Sequence, residues 1–197
     1  MYELPTTITV KDREFHIRDS GDFRMVLDCF SALQDEELSE DYRVLASLLI
    51  FYNEFSSETD LANYKEYVEG LVKEMFLFMN AGQEQSPGAD AGYSVIDWEG
   101  DSQMICAAIN NVAQTEVRSI KYLHWWTFLG YYMSVGESVL STVVNIRSKL
   151  CKHKKLEKWE QEFKKNNPRY FVWKKSTVED RETENLVRNL WNKGGDK

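Results

Sequence analysis

A chain of 197 residues is long enough for one sizeable core, and with 43% hydrophobic and 28% charged residues it shows neither a membrane-spanning run nor a signal sequence. The formal net charge is −8, but residues 147–175 alone carry +8, against −15 for residues 1–146 and −1 for residues 176–197. We therefore expect a cytoplasmic globular protein whose basic segment is an interaction surface or a solvated helix.

The chain begins with a pattern of short strands. Residues 4–10 and 14–18 alternate apolar and polar side chains around the polar residues 11–13, which predicts a β-hairpin. Because an isolated two-stranded hairpin is marginally stable in water, it should lie against a helical body.

Apolar side chains then recur at helical spacing in several segments. Helices are predicted from Phe23 to about Leu33 after the cap at residues 20–22, from Ser39 through Tyr52, from Ser57 to about Asn80, and from Ser102 through Val112. In the third of these, Ser57 and Asp60 resemble a capping box. Gly70 is a weak position within it, because glycine costs up to about 1 kcal/mol relative to alanine in a helix.

Residues 81–92 are rich in glycine and small polar residues, which predicts a mobile loop. The loop could separate two domains, but neither side shows a complete core of its own. We therefore expect one helical domain over residues 1–166, followed by a C-terminal extension over residues 167–197. Residues 177–192 of that extension could form an amphipathic helix.

Residues 120–133 are the densest stretch of large apolar and aromatic side chains. A helix that is apolar on all sides lies at the centre of a protein when it is too short to span a membrane. We therefore predict a central helix over residues 116–134. Trp125 and Trp126 would point about 100° apart on that helix, so at least one should be buried. The predicted fold is mainly α, a multi-helix bundle around a central aromatic helix with a short N-terminal β-hairpin.

Residues 152–166 predict a strongly charged helix with a narrow apolar stripe formed by Leu156, Trp159 and Phe163. The candidate partner-binding residues are Lys154, Lys155, Lys158, Trp159, Phe163, Lys164 and Lys165. Because opposite charges steer association, this helix should contact an acidic partner surface or the acidic body of a second copy. The two aromatic side chains either dock the helix on its own core or project to the partner.

No arrangement for catalysis, metal or cofactor binding emerges from the residues. The three histidines lie in separate elements without a second ligand at metal-binding spacing, and phosphate-binding loops and nucleophile elbows are missing from the sequence. Asp97, Glu99 and Asp101 alternate before a helix and could hold a hard cation, but helix capping explains them better. We therefore predict no enzyme, no cofactor and no metal.

Four segments, read in order, carry a family resemblance: Met-Tyr-Glu-Leu-Pro-Thr-Thr at residues 1–7, the acidic stretch from Tyr93 to Asp101, Tyr-Leu-His-Trp-Trp-x-Phe at residues 122–128, and Ile146-Arg147. Over roughly residues 1–165 they resemble a family of small proteins from tailed phages and prophages of Gram-positive bacteria. The genes of that family lie between those for the major tail protein and the tape measure. The resemblance implies a tail assembly chaperone in the cytoplasm of the bacterial host, without established site residues.

A tape-measure protein is a long, largely helical chain, and a helical partner with aromatic grooves could cover its apolar stripes. The expected partners are therefore the tape-measure and major tail proteins, with self-association as a further expectation. Two alternatives stay open. The protein could be a structural component of the virion, or its lysines and aromatic residues could bind nucleic acid, although the acidic body argues against that.

Overall fold

A computed structural model describes residues 3–83 and 95–173. This part of the chain contains two strands and eight α-helices, so the predicted mainly α fold with an N-terminal hairpin is confirmed. The strands are β1 (Thr7–Val10) and β2 (Arg13–His16), and the helices are α1 (Phe23–Leu33), α2 (Glu40–Phe51), α3 (Glu58–Ala62), α4 (Val68–Met79), α5 (Ser102–Ala113), α6 (Trp125–Met133), α7 (Val139–Cys151) and α8 (Lys158–Asn166). No helix in the described ranges is long and apolar enough to cross a membrane.

The described residues belong to two compact units. Those of the first lie within Met1–Ala89 and Tyr122–Thr127, and those of the second lie within Asp90–Lys121 and Phe128–Thr177. Cys29 in the first unit and Cys106 in the second are buried core residues. The predicted helix at residues 177–192 and most of the predicted loop at residues 81–92 lie outside the described residues.

The N-terminal hairpin packs on α4 through one face. Ile8 of β1 pairs with Phe15 of β2, and both side chains are buried together with Val10. Gly70 of α4 lies directly against β1, because a Cβ atom added there would be 2.3 Å from Cγ1 of Val10. Gly70, which the sequence marks as a weak helix position, therefore has no side chain because β1 and α4 approach each other closely there.

We expect Gly70→Ala to lower the free energy of unfolding by about 1–3 kcal/mol, because the added methyl group overpacks the strand–helix contact. The matched control is Gly130→Ala within α6, where an added Cβ meets nothing within 4 Å. The control should leave stability unchanged or raise it by up to about 1 kcal/mol, as alanine favours helix. Urea denaturation of both variants tests this, and equal stability of the two would contradict the close contact.

An aromatic cluster around Phe15 explains why the predicted helix from Ser57 to about Asn80 is wrong as a single element. Ser57 does cap α3 as predicted, with its hydroxyl accepting from the backbone N–H of Asp60 at 3.2 Å. After α3, however, a 3₁₀ turn at Lys65–Tyr67 interrupts the helix before α4 begins. The interruption brings the rings of Tyr64 and Tyr67 within 6.0 and 5.6 Å of the Phe15 ring.

Arg18 supplies hydrogen-bond donors to the backbone carbonyls at the C-terminal end of α2. Its guanidinium donates hydrogen bonds to four backbone carbonyls at or just beyond the end of that helix, those of Leu49, Ile50, Tyr52 and Phe55, at 2.7–3.1 Å. The last carbonyls of a helix have no partner within the helix, so a distant side chain supplies the missing donors.

The central aromatic helix is shorter than predicted. It begins at Trp125 rather than near Glu116, whose side chain instead caps a 3₁₀ turn at Val117–Ser119. The residues after this turn do not continue as a helix because Leu123 pairs with the start of α1: its N–H donates to the Asp22 carboxylate and its carbonyl accepts from the N–H of Phe23, both at 2.9 Å. Nor is α6 buried on every side, since Met133 is 70% exposed.

The two tryptophans cap the end of α4. Trp125 is 1% exposed and Trp126 is half-buried, which confirms that at least one is in the core. The Trp125 indole donates to the carbonyl of Met79 at 2.8 Å, and the Trp126 indole donates to that of Phe78 at 2.9 Å. Both carbonyls belong to the last turn of α4. The Trp125 indole supplies a donor to Met79, and the Trp126 indole adds a donor to Phe78, whose carbonyl also accepts from the backbone N–H of Ala81 at 3.0 Å.

His124 connects the same segment to the N-terminus. Its Nε2 donates to the carbonyl of Pro5 at 3.0 Å, and its Nδ1 accepts from the backbone N–H of Trp126 at 3.1 Å. This pair of contacts requires the neutral ring. Burial lowers the pKa of His124 below its usual value, although the hydrogen bond to Pro5 and the charge of Asp22 act in the opposite direction.

We expect the free energy of unfolding to fall as the pH drops below about 6.5, where the unfolded chain protonates His124 more readily than the folded chain does. His124→Asn should remove this part of the pH dependence. His153→Asn is the control, because His153 is exposed and its φ of 52° suits asparagine. Urea titrations between pH 8 and pH 5 measure the effect, and identical pH profiles for the two variants would contradict it.

Candidate partner-binding site

Residues 152–166 of the basic segment fold as a turn followed by a short helix. The helix predicted over residues 152–166 is wrong in its first part, because α8 begins only at Lys158. His153 adopts the left-handed conformation, and the N–H groups of His153 and Lys154 bond back to the carbonyls of Leu150 and Lys149 at 3.2 and 2.8 Å. These bonds form the pattern that ends α7, so the chain leaves the helix before α8 starts.

The residue that α8 buries is an acid. Glu160 is 2% exposed; its carboxylate accepts from Nζ of Lys149 at 2.6 Å and from the backbone N–H of Glu157 at 2.8 Å. The hydrogen bond from Lys149 and then that from Glu157 hold the pKa of Glu160 below its usual range. Glu160 was not among the candidate residues predicted from the sequence. Its capping-box spacing from Glu157 could have indicated the start of α8, but not the burial of its side chain.

The two aromatic side chains of the predicted apolar stripe differ in position. Trp159 is 53% exposed, and its indole donates to the carboxylate of Glu157 at 2.9 Å. Phe163 is half-buried and meets the ring of Phe171 edge-on, with 6.4 Å between the centroids. Of the two arrangements left open by the sequence, Trp159 therefore projects to solvent while Phe163 packs within its own unit.

The lysines of the candidate site lie on or next to α8. Lys154 and Lys155 are exposed in the turn before the helix, Lys158 and Lys165 are exposed at its two ends, and Lys164 is partly exposed. We call Lys154, Lys155, Lys158, Trp159, Lys164 and Lys165 the α8 surface. Phe163, the remaining candidate, supports this surface from within.

Arg147 was counted in the basic segment, but it is buried and neutralised. Its guanidinium is 1% exposed and forms a two-pronged ion pair with the Asp101 carboxylate, 2.9 Å from Nη2 to Oδ1. It also donates to the carbonyls of Val95 and Tyr170 at 3.0 and 2.8 Å. Asp101 stands at the N-cap position of α5, yet its side chain pairs with Arg147 instead of capping the helix.

The other acidic residues before α5 also serve the local fold. The carboxylate of Asp97 accepts from the backbone N–H of Gly100 at 2.8 Å, and the N–H of Asp97 donates to Asp101 at 3.1 Å. Within residues 3–83 and 95–173, no group of three or more acidic, histidine or cysteine side chains is arranged to hold a metal ion.

We expect Arg147→Met to lower the free energy of unfolding by about 3–5 kcal/mol, because it leaves the buried Asp101 carboxylate without its partner. Arg118→Met is the matched control: Arg118 pairs with Glu116 at 2.7 Å, but about half of each side chain is exposed. Water screens that surface pair, so its loss should cost far less stability. Denaturant unfolding compares the two, and equal losses would contradict a structural role for the buried pair.

The comparisons with known proteins give one family. The model of a family described as Bacteriophage Gp15 protein matches residues 1–171, which include α8 and the turn after it. No curated protein and no solved structure matches the chain.

Proposed function

This chain belongs to the Bacteriophage Gp15 protein family, and we propose that it is a phage tail morphogenesis protein. In this proposal it acts in the cytoplasm of the bacterial host as a tail assembly chaperone that binds the tape-measure protein, the major tail protein or both. The family match over residues 1–171 is the observation that carries the proposal, together with the tail-module position implied by the sequence motifs.

The α8 surface is the part of the chain that we assign to partner binding. Its lysines are exposed, whereas Arg147 and Lys149 of the same basic segment are paired with Asp101 and Glu160. An exposed aromatic side chain is a common anchor of protein interfaces because it buries apolar area, and charges elsewhere on the surface select the partner. Such an interface requires no catalytic residue.

Contacts to Trp159 favour a protein partner over nucleic acid. The Glu157 carboxylate is hydrogen-bonded to the indole N–H and places a negative charge beside the ring. A base stacked on this ring would bring its phosphate close to that carboxylate, which opposes binding. Binding to DNA or RNA that weakens steeply with salt would support the nucleic-acid alternative instead.

We expect simultaneous replacement of Lys154, Lys155, Lys158, Lys164 and Lys165 by glutamine to weaken capture of the tape-measure or major tail protein without lowering the melting temperature. The remaining capture should also depend less on salt, because ions screen the lost charges over a Debye length of about 8–10 Å. The control is Lys73→Gln with Lys121→Gln, two exposed lysines outside the basic segment. Pull-downs with purified tail proteins at low and moderate salt measure the effect.

Unchanged capture of both tail proteins by the five-lysine variant would contradict the assignment of the α8 surface. The chaperone role has a separate test, mass spectrometry of purified phage particles. A chaperone should be absent or strongly depleted in them, whereas a structural component should be present in stoichiometric amounts.

A further inference from the structure

We propose that a groove beside α8 binds a short acidic segment of the partner that carries one large apolar side chain. The inference rests on the proposed function, because it names the chemistry of the partner segment that the α8 surface receives. The groove lies entirely within the second unit and has a volume of about 510 Å³. It is lined by Leu156, Gln161, Lys164, Lys165, Pro168 and Phe171.

One part of the groove is apolar and held in place. Leu156, Pro168 and Phe171 supply its apolar lining, and Phe163 supports the ring of Phe171 at an interplanar angle of 89°. The wall is fixed by a hydrogen bond of 2.9 Å from the side-chain amide of Gln161 to the carbonyl of Leu156. A concave apolar surface of this size can receive a leucine, methionine or phenylalanine side chain.

The charged part of the groove is cationic. Lys164 and Lys165 belong to the lining, and none of the six lining residues is acidic. Of the acids on or just before α8, Glu160 pairs with Lys149, Glu157 accepts from the indole of Trp159, and Glu162 is exposed but does not line the groove. A partner segment therefore gains most when carboxylates flank its apolar side chain.

A simpler role for the two lysines is to offset the partial negative charge at the C-terminal end of α8. Two of the carbonyls there already have donors, however. The backbone N–H of Asn167 bonds to Phe163 and Lys164 at 3.0 and 3.3 Å, and its side-chain amide bonds to Phe163 at 2.9 Å. These two carbonyls do not need the lysine side chains, and we assign the ammonium groups to a ligand at the groove.

The experiment uses the full chain and a fluorescently labelled synthetic peptide with three glutamates, one phenylalanine and three further glutamates. Fluorescence anisotropy measures its affinity. Two control peptides replace either the phenylalanine by alanine or all the glutamates by glutamine. We expect each control to bind about tenfold more weakly or worse, because each removes one of the two recognised features. Equal binding of the alanine peptide would overturn the apolar part of the proposal.

Two lysine pairs provide a matched comparison. Lys164→Gln with Lys165→Gln removes two charges from the groove, whereas Lys154→Gln with Lys155→Gln removes two charges from the same segment outside it. The first pair should weaken peptide binding about tenfold and the second by less than about threefold. Equal losses would show general charge attraction and overturn the groove as a site.

A third variant, Gln161→Trp, places a large side chain in the groove from an exposed position and keeps both lysines. We expect it to block peptide binding. Unchanged binding would overturn the proposal. Sedimentation tests for a second copy as occupant. A dimer of the parent chain that the Lys164 and Lys165 substitutions dissociate would overturn the assignment to another protein.

Competition separates this inference from the proposed function. Tail-protein capture that excess peptide abolishes would support both. Tail-protein capture that the peptide does not affect would overturn the groove inference and leave the proposed function standing. Peptide binding that requires the groove, in a chain that captures neither tail protein, would support the chemistry of the groove and count against the proposed tail partners.

Discussion

A guanidinium that leaves water must find a counter-charge and acceptors for its N–H groups. Arg147 of α7 finds them in Asp101 before α5, in the carbonyl of Val95, and in the carbonyl of Tyr170 in the turn after α8. The side chain therefore joins three stretches of the second unit that are distant in sequence. The turn that follows α8 has a defined position because one of its carbonyls belongs to this network.

Distant side chains also complete helix ends in the first unit. Arg18 supplies donors to the end of α2, and Trp125 and Trp126 supply them to the end of α4. Each contact joins residues more than 30 positions apart and adds a side-chain donor to a carbonyl at a helix C-terminus. The motif residues that suggested a phage family, among them Trp125, Trp126 and Arg147, thus have structural roles within the two units.

Local rules were enough to predict some elements from the sequence. The hairpin follows from alternation, and α1 follows from the Asp22 cap and the helical spacing after it. The misplaced boundaries depend on contacts that no local pattern contains. Tyr64 and Tyr67 turn towards Phe15, and this interrupts a segment that reads as one helix.

The same distinction applies to the candidate site. Exposure of its lysines could be predicted, because a dense charge pattern indicates a solvated surface. The burial of Glu160 could not, since it depends on an ion pair with Lys149 of α7. The groove could not be predicted either, because it forms only when the turn containing Phe171 folds beside α8.

The discontinuity of the first unit has a consequence for synthesis on the ribosome. Helix α4 is translated well before Tyr122–Thr127, the segment that completes its C-terminal end. At about 5–20 residues per second, the wait lasts a few seconds, whereas a helix forms within about a microsecond. During that interval the C-terminal end of α4 is without the two indole N–H donors that it has in the folded chain.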